Sequence, residues 1–291
     1  MTLRIATRGS ELALWQARHV AGLLSDDTEL VVLDTTADQR LDVPIWELGG
    51  KGAFAKEIQA AVLDGRADLA VHSGKDLPSV TLPGLVLAAV PQRGDARDAL
   101  VGGTLADLRP GAVVATGSLR RRAQLADLRP DLTFAGLRGN MATRLAKAAE
   151  FDAIVVAAVA FERLGLGEHI AEVLPVDVLV PQVAQGALAV ECREGDAAAL
   201  AALAAIEHAP SRRVVDAERA FLAELGGDCD LPAGAHAVPD GDGLRLTGLL
   251  ATPDGHVVLR HGAAGDEPIE LGRSVARYLL EHGGASLLER A

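Results

Sequence analysis

Short aliphatic runs alternate with longer amphipathic segments through most of this chain, and that alternation constrains the fold more than any other feature. Strands separated by helical segments pair as βαβ units on a mainly parallel sheet. The spacing predicts strands over 3–6, 29–36, 69–71, 85–90, 99–101, 113–115, 133–135 and 153–157. It predicts helices over 11–24, 54–63, 119–128, 141–149 and 196–206. After Pro91 the pattern begins again, so two such α/β domains in sequence are expected. Beyond Ala209-Pro210-Ser211 the texture changes. Ser211 reads as the N-cap of a helix to about Leu225, residues 244–251 and 256–260 read as strands joined at Pro253-Asp254-Gly255, and a last helix covers about 271–281. This part is expected to be a small α+β domain. No short repeat is visible.

The most informative local stretch is Ala67-Asp68-Leu69-Ala70-Val71-His72-Ser73-Gly74-Lys75-Asp76-Leu77-Pro78, a strand pattern running into a polar loop. Gly74 and Pro78 mark the loop, which places Lys75 and Asp76 just past the strand's carboxyl end. In an open parallel sheet that is where ligands bind. An imidazole, a hydroxyl, an ammonium and a carboxylate within five residues give acid–base capacity at one point. Taken alone, the stretch reads first as an ordinary strand-end turn with Lys75 and Asp76 solvated.

Local charge separates these readings. The chain has 28 Lys plus Arg against 40 Asp plus Glu, a net charge of -12, which argues against a nucleic-acid or anionic-membrane partner. Yet Ser118 to Lys147 holds seven basic residues and two acidic ones. Arg120, Arg121 and Arg122 fall in the first turn of a helix, where the macrodipole disfavours cations, so a compensating charge is expected. Residues about 100° apart fan out, which leaves one of the three to solvent. Arg138-Gly139-Asn140, with Arg144 beyond it, repeats the arrangement. Thr7-Arg8-Gly9-Ser10 is a third strand-to-helix junction carrying an arginine and a capping residue. Capped helix starts attract anions, and the planar fork of arginine suits carboxylates. Together they describe a cleft for an anion bearing several carboxylates or phosphates.

Other chemistry is limited. HExxH, zinc-ligand spacing, GxSxG and GxGxxG are all missing from the sequence, so no metal is expected. Gly50-Lys51-Gly52 is not a P-loop, because Gly52 stands where Ser or Thr should follow. The long segment 37–52 reads as a mobile loop near a site. With only two cysteines, no CxxC and no export signal, a reducing cytosol is expected. Cys192, inside an apolar run, reads as a small buried hydrophobe. Cys229 lies in a turn with Gly226, Gly227 and Pro232, where a thiolate nucleophile and a buried side chain are both open readings.

In order along the chain, these pieces resemble the porphobilinogen deaminase (hydroxymethylbilane synthase) family. The resemblance rests on Arg4-Ile5-Ala6-Thr7-Arg8 with Leu12-Ala13-Leu14-Trp15-Gln16, on Gly49-Gly50-Lys51-Gly52, and on His72 to Pro78. Gly117-Ser118-Leu119-Arg120-Arg121, Leu137-Arg138-Gly139-Asn140, Gln185-Gly186-Ala187 and the Cys229 turn complete it. It implies two periplasmic-binding-protein-like α/β domains with a central cleft plus a small C-terminal α+β domain. The implied segments are 1–90 with 187–205, 91–186, and 209–291. It further implies condensation of porphobilinogen into hydroxymethylbilane with release of ammonia, in the cytoplasm, by a monomer.

The resemblance also implies a dipyrromethane cofactor attached through a thioether to Cys229, with Lys75, Ser118, Arg120 and Arg121 alongside it. Arg8, Ser10, Arg138, Arg144, Arg163 and Gln185 would hold substrate carboxylates, and Lys51 would sit on the mobile loop. Asp76 would be catalytic, assisting proton transfer and stabilising the cationic azafulvene electrophile. The chain departs from the family at Ala37 and Asp228, where glycine is usual, and at Gly74, where a larger apolar residue is common. A non-catalytic two-lobed anion-binding or sensor protein is the alternative, but it gives no reason for Asp76 and Cys229 together.

Overall fold

The computed structural model of the chain describes residues 2–24, 27–35, 55–226 and 231–288. Its strands are β1 (Leu3–Arg8), β2 (Thr28–Leu33), β3 (Leu69–Ser73), β4 (Leu85–Ala89), β5 (Asp98–Val101), β6 (Val113–Ala115), β7 (Thr133–Ala135), β8 (Ala153–Ala157), β9 (Ile170–Val173), β10 (Leu188–Arg193), β11 (Ala233–Asp240), β12 (Gly243–Ala251) and β13 (Val258–Gly265). The helices used below are α1 (Glu11–Leu23), α2 (Lys56–Leu63), α3 (Leu119–Leu128), α4 (Met141–Lys147), α5 (Ala158–Arg163), α6 (Ala197–Ala204), α7 (Ala209–Glu224) and α8 (Pro268–Leu279).

The chain divides into two compact units. The first comprises Met1–Gly94 and Gly186–Arg213. Its five-stranded sheet has the order β2-β1-β3-β10-β4. β1 runs parallel to β2 and β3, while β10 enters antiparallel between β3 and β4. One face packs Ile5, Leu69, Val71, Leu188 and Val190 against Val20 of α1 and Leu203 of α6. The other packs Ala6, Ala70 and Leu85 against Ile58 and Val62 of α2. Covering both faces explains why β3 reads as a continuous aliphatic run instead of an alternating one.

The second unit comprises Asp95–Gln185 and Val214–Ala291. It contains a five-stranded sheet of order β7-β6-β8-β5-β9 and a three-stranded antiparallel sheet, β11-β12-β13. β6 is parallel to β7 and β8, whereas β5 is antiparallel to β8 and β9. On the smaller sheet lies α8, which buries Leu271, Val275 and Leu279.

The α/β class, the two larger sheets and the small third sheet agree with the expectation. The sheets are mixed, however, and not mainly parallel. The antiparallel partners come from β10 and β5, whose direction depends on long connections that a local pattern does not encode. β9 and β11 were not anticipated. The apolar run Ile154–Phe161 is divided between β8 and α5, because a continuous apolar stretch does not by itself distinguish a buried strand from a buried helix. α7 starts at Ala209, not after Ser211. Ser211 Oγ instead accepts from the backbone N–H of Arg93 at 2.9 Å and lies 2.8 Å from His208 Nδ1.

Candidate functional site

In the first unit the site grows from the end of β3. Leu69, Ala70 and Val71 are buried, and after Ser73 the chain tightens into a single turn, Gly74–Asp76. The Gly74 N–H donates to Ala187 O at 2.9 Å, tying this turn to the residue preceding β10. The β1-to-α1 junction lies beside it. Ser10 caps α1 by accepting from the Ala13 N–H at 3.3 Å, as its sequence position predicts. Gln16 Nε2, one turn into α1, donates to Ser73 Oγ at 2.8 Å. Arg8, Ser10, Gln16, His72, Ser73 and Asp76 thereby line one pocket. Arg8, Lys75 and Asp76 are all half-buried, so their charges act in a medium less screening than bulk water. The pocket pairs one carboxylate with cationic and hydroxyl groups, which suits a ligand that is anionic at its edge and becomes cationic at its reacting atom.

In the second unit the corresponding feature is the start of α3. Ser118 is its N-cap, accepting from the Arg121 N–H at 3.4 Å. Arg122 is exposed, whereas Arg120 and Arg121 are buried. Both turn to Asp98, the fully buried first residue of β5. Arg120 Nη2 donates to Asp98 Oδ2 at 2.7 Å, and Arg121 Nη2 to Oδ1 at 2.6 Å. Arg121 Nη1 also reaches Val155 O at 3.0 Å, and Arg120 Nη1 reaches Val180 O. Gln185 Nε2 donates to Asp98 Oδ1 at 2.8 Å and to Ala96 O at 2.7 Å. Burial works against ionisation of Asp98, but the two guanidinium groups outweigh it and hold the carboxyl at about 2. Asp98 is therefore the compensating charge that two arginines at a helix N-terminus require.

Arg120 Nε is buried without a hydrogen-bond partner among the described residues. Arg120 lines a small pocket with Ser118, Gln182, Val183 and Leu231. Gly234, near the start of β11, makes room for this packing. A Cβ there would lie 2.6 Å from Pro181 O and 3.0 Å from Arg120 Cδ.

The third junction precedes α4. Asn140 caps it, accepting from the Thr143 N–H at 2.9 Å. Gly139 has φ 114°, a conformation that favours glycine. Arg144 Nε donates to Gly139 O at 2.9 Å, and Arg138 Nη1 is buried with no hydrogen-bond partner among the described residues. Arg163 ends α5. Burial lowers its pKa to about 10, which leaves it cationic at neutral pH.

Each unit thus groups its own subset of the sequence-derived candidates. Arg8, Ser10 and Asp76 share one pocket, with Lys75 in the same turn. Ser118 and Arg120 share another, with Arg121 and Gln185 joined to Arg120 through Asp98. Lys51 and Cys229 lie outside the described residues, as do Ala37 and Asp228. Cys192 is fully buried in β10, and burial pushes its thiol up to about 11, so it behaves as the small hydrophobe expected. Sequence reasoning missed Asp98, Gln16 as the partner of Ser73, and the buried Glu191. The available signal was an acid or amide embedded in an aliphatic run, as in Asp98-Ala99-Leu100-Val101 and Val190-Glu191-Cys192. Such a residue needs a buried partner, though the run does not say which.

A family profile described as "Porphobilinogen deaminase, dipyromethane cofactor binding domain" matches residues 3–201, and "Porphobilinogen deaminase, C-terminal domain" matches residues 213–281. The chain is 45% identical over 300 residues to the "Porphobilinogen deaminase" of Syntrophomonas wolfei subsp. wolfei, covering 98% of this chain and 97% of the relative. It is 48% identical over 299 residues to that of Roseiflexus castenholzii, covering 99% and 98%. Among solved structures, the Bordetella pertussis BvgS periplasmic VFT2 domain aligns at 15% identity with a TM-score of 0.40, covering 70% of this chain and 86% of that one. So low a score adds nothing to the argument, which rests on the sequence matches. Through both profiles and through relatives aligned over nearly its whole length, the chain belongs to the porphobilinogen deaminase family.

Proposed function

We propose that this chain is a hydroxymethylbilane synthase, a transferase of tetrapyrrole biosynthesis. It condenses four porphobilinogen molecules head to tail into the linear tetrapyrrole hydroxymethylbilane, with release of ammonia and with water supplying the product's hydroxyl group. The observation that carries the reading, beside family membership, is Asp76 at the end of β3 in a pocket that also contains Arg8 and Ser10. In each condensation the aminomethyl C–N bond of porphobilinogen breaks and a C–C bond forms to a pyrrole α-carbon. The proton lost from that carbon leaves with ammonia as ammonium. Positive charge develops on the pyrrole as nitrogen departs, and a fixed carboxylate beside it is electrostatic preorganisation. Asp76 supplies that carboxylate and accepts hydrogen bonds from pyrrole N–H groups. Arg8, Ser10, Arg138, Arg144 and Arg163 hold the acetate and propionate groups.

The residues present fit a dipyrromethane, because the orphaned Arg120 Nε beside Ser118 and Leu231 and the orphaned Arg138 Nη1 are donors in search of acceptors such as carboxylates. When bound through a thioether to Cys229, that group supplies the pyrrole carbon from which the product grows. Ser118, Arg120, Arg121 and Lys75 would hold its carboxylates, while Gln185 serves the arginines by orienting Asp98. The segments 1–90 with 187–205, 91–186 and 209–291 are proposed as three domains, and the active form as a cytoplasmic monomer.

Intact mass and reaction with Ehrlich's reagent test the assignment. The purified protein should carry a dipyrrole adduct that is lost in Cys229→Ala, and an unmodified, colourless protein would favour a binding protein instead. Asp76→Asn should nearly abolish turnover, a loss of a few kcal/mol of transition-state stabilisation, while leaving the melting curve unchanged. A near-normal rate would sink the role given to Asp76.

A further inference from the structure

The pocket at the end of β3 is backed by a polar trio that the proposed reaction does not use. Glu191 of β10 is 1% exposed, an unusual position for a carboxylate. In the β3–β10 register, Ala189 pairs with His72 and Glu191 with Ala70, which puts His72 and Glu191 on the same sheet face, two positions apart. His72 Nε2 lies 3.2 Å from Glu191 Oε2, and the two side chains are 4% and 1% exposed. The same oxygen accepts a hydrogen bond from Gln59 Nε2 of α2 at 2.9 Å. The approach of Nε2 is off the line of a hydrogen bond, and this atom has no other partner among the described residues. An unprotonated Nε2 at that distance would set its lone pair against a buried carboxylate. With the carboxylate ionised, as the Gln59 donor to the same oxygen favours, attraction requires the proton on Nε2.

We infer that Glu191, held by Gln59, is a positioning residue for the reaction and acts through His72. The carboxylate fixes which imidazole nitrogen carries the proton and how the ring stands. His72 in turn forms a fixed wall of the pocket that contains Asp76, with Ser73, its neighbour in the chain, pinned by Gln16. Among the described residues, the charged groups placed with the ring are Glu191, at 3.2 Å, and Arg8 and Asp76, which line the same pocket. A ring free to turn would change the environment in which Asp76 meets a developing cation. The inference rests on the proposed function and deepens it.

Two measurements test it. In the folded wild-type protein, nitrogen NMR of His72 should show a protonated Nε2. A neutral ring protonated only on Nδ1 overturns the inference, whatever the fate of any variant. Glu191→Gln can keep the accepting oxygen at the same place while it removes the charge and exchanges the second oxygen for an NH2 group. It should lower kcat about tenfold with KM changed by less than about twofold, the pattern of a group that matters to the transition state and not to binding. His72→Gln should cost a similar factor. Because Glu191 acts through His72, the double variant should be no slower than the slower single variant. Independent multiplication of the two effects, or an unchanged kcat in Glu191→Gln, overturns the inference. Failure of the wild-type protein itself to convert porphobilinogen would instead remove the functional reading, leaving the nitrogen signal as a separate test of the pair.

Discussion

Asp98 shows how one residue can set the character of its surroundings. Two guanidinium groups and an amide converge on its carboxylate, so removing the charge leaves two buried cations without a counter-ion. Breaking a buried pair in this way costs about 3–5 kcal/mol, and Asp98→Asn should lower stability by that amount in denaturant titrations. The pH dependence has a definite sign. The carboxyl is held at about 2, below its ordinary value of 3.8, so its contribution is complete above the ordinary value and is lost as pH falls toward 2. The wild-type protein should therefore lose stability between about pH 4 and about pH 2 more steeply than Asp98→Asn does. Parallel acid curves would show that the pair contributes nothing. The same residue explains how two basic side chains can stand buried at the start of α3. Arg121 already uses Nε, Nη1 and Nη2 within the protein, whereas Arg120 retains one unpartnered donor.

At the scale of elements, the recurring device is a strand, a polar junction and a capped helix. Ser10, Ser118 and Asn140 each accept from a backbone N–H three residues on, satisfying one of the donors that a helix start leaves without an intrahelical partner. α4 depends most on its cap, because it is only 7 residues long and buries none of them. Asn140→Ala should cost about 1 kcal/mol, measured by denaturant unfolding. Faster hydrogen exchange should be confined to α4, and the Arg144 contact to Gly139 O should loosen with it. An unchanged exchange pattern would mean that the helix is held by something other than its cap. Capping residues are short-range signals, which is why all three junctions were legible in the sequence. The end of β8 falls where the pattern put it, at Ala157, but the helix α5 directly beyond it was not legible, since Ile154–Phe161 offers no polar residue to mark where strand becomes helix.

For the whole molecule, the decisive fact is the path of the chain. The first unit is completed by residues that follow an excursion through another, and β10 is an interior strand of its sheet, between β3 and β4. A fragment of residues 1–94 would leave β3 and β4 unpaired on facing edges and would lose Leu188, Val190 and Leu203 from the core. It should show no cooperative thermal unfolding, whereas the same fragment joined by a flexible linker to residues 186–213 should unfold cooperatively. A cooperative transition in the fragment alone would show that β10 is dispensable. Local pattern was enough to determine the α/β class, the places of β1, β3 and β6, the caps, and the concentration of arginines, because each depends on residues within a turn or two of each other. Motif order was enough to indicate the family. Tertiary structure alone decided that the sheets are mixed, that Asp98 occupies the arginines of α3, and that Glu191 stands behind His72. Those outcomes join residues far apart in sequence. A buried charge announces that it has a partner, but only the folded chain selects which one.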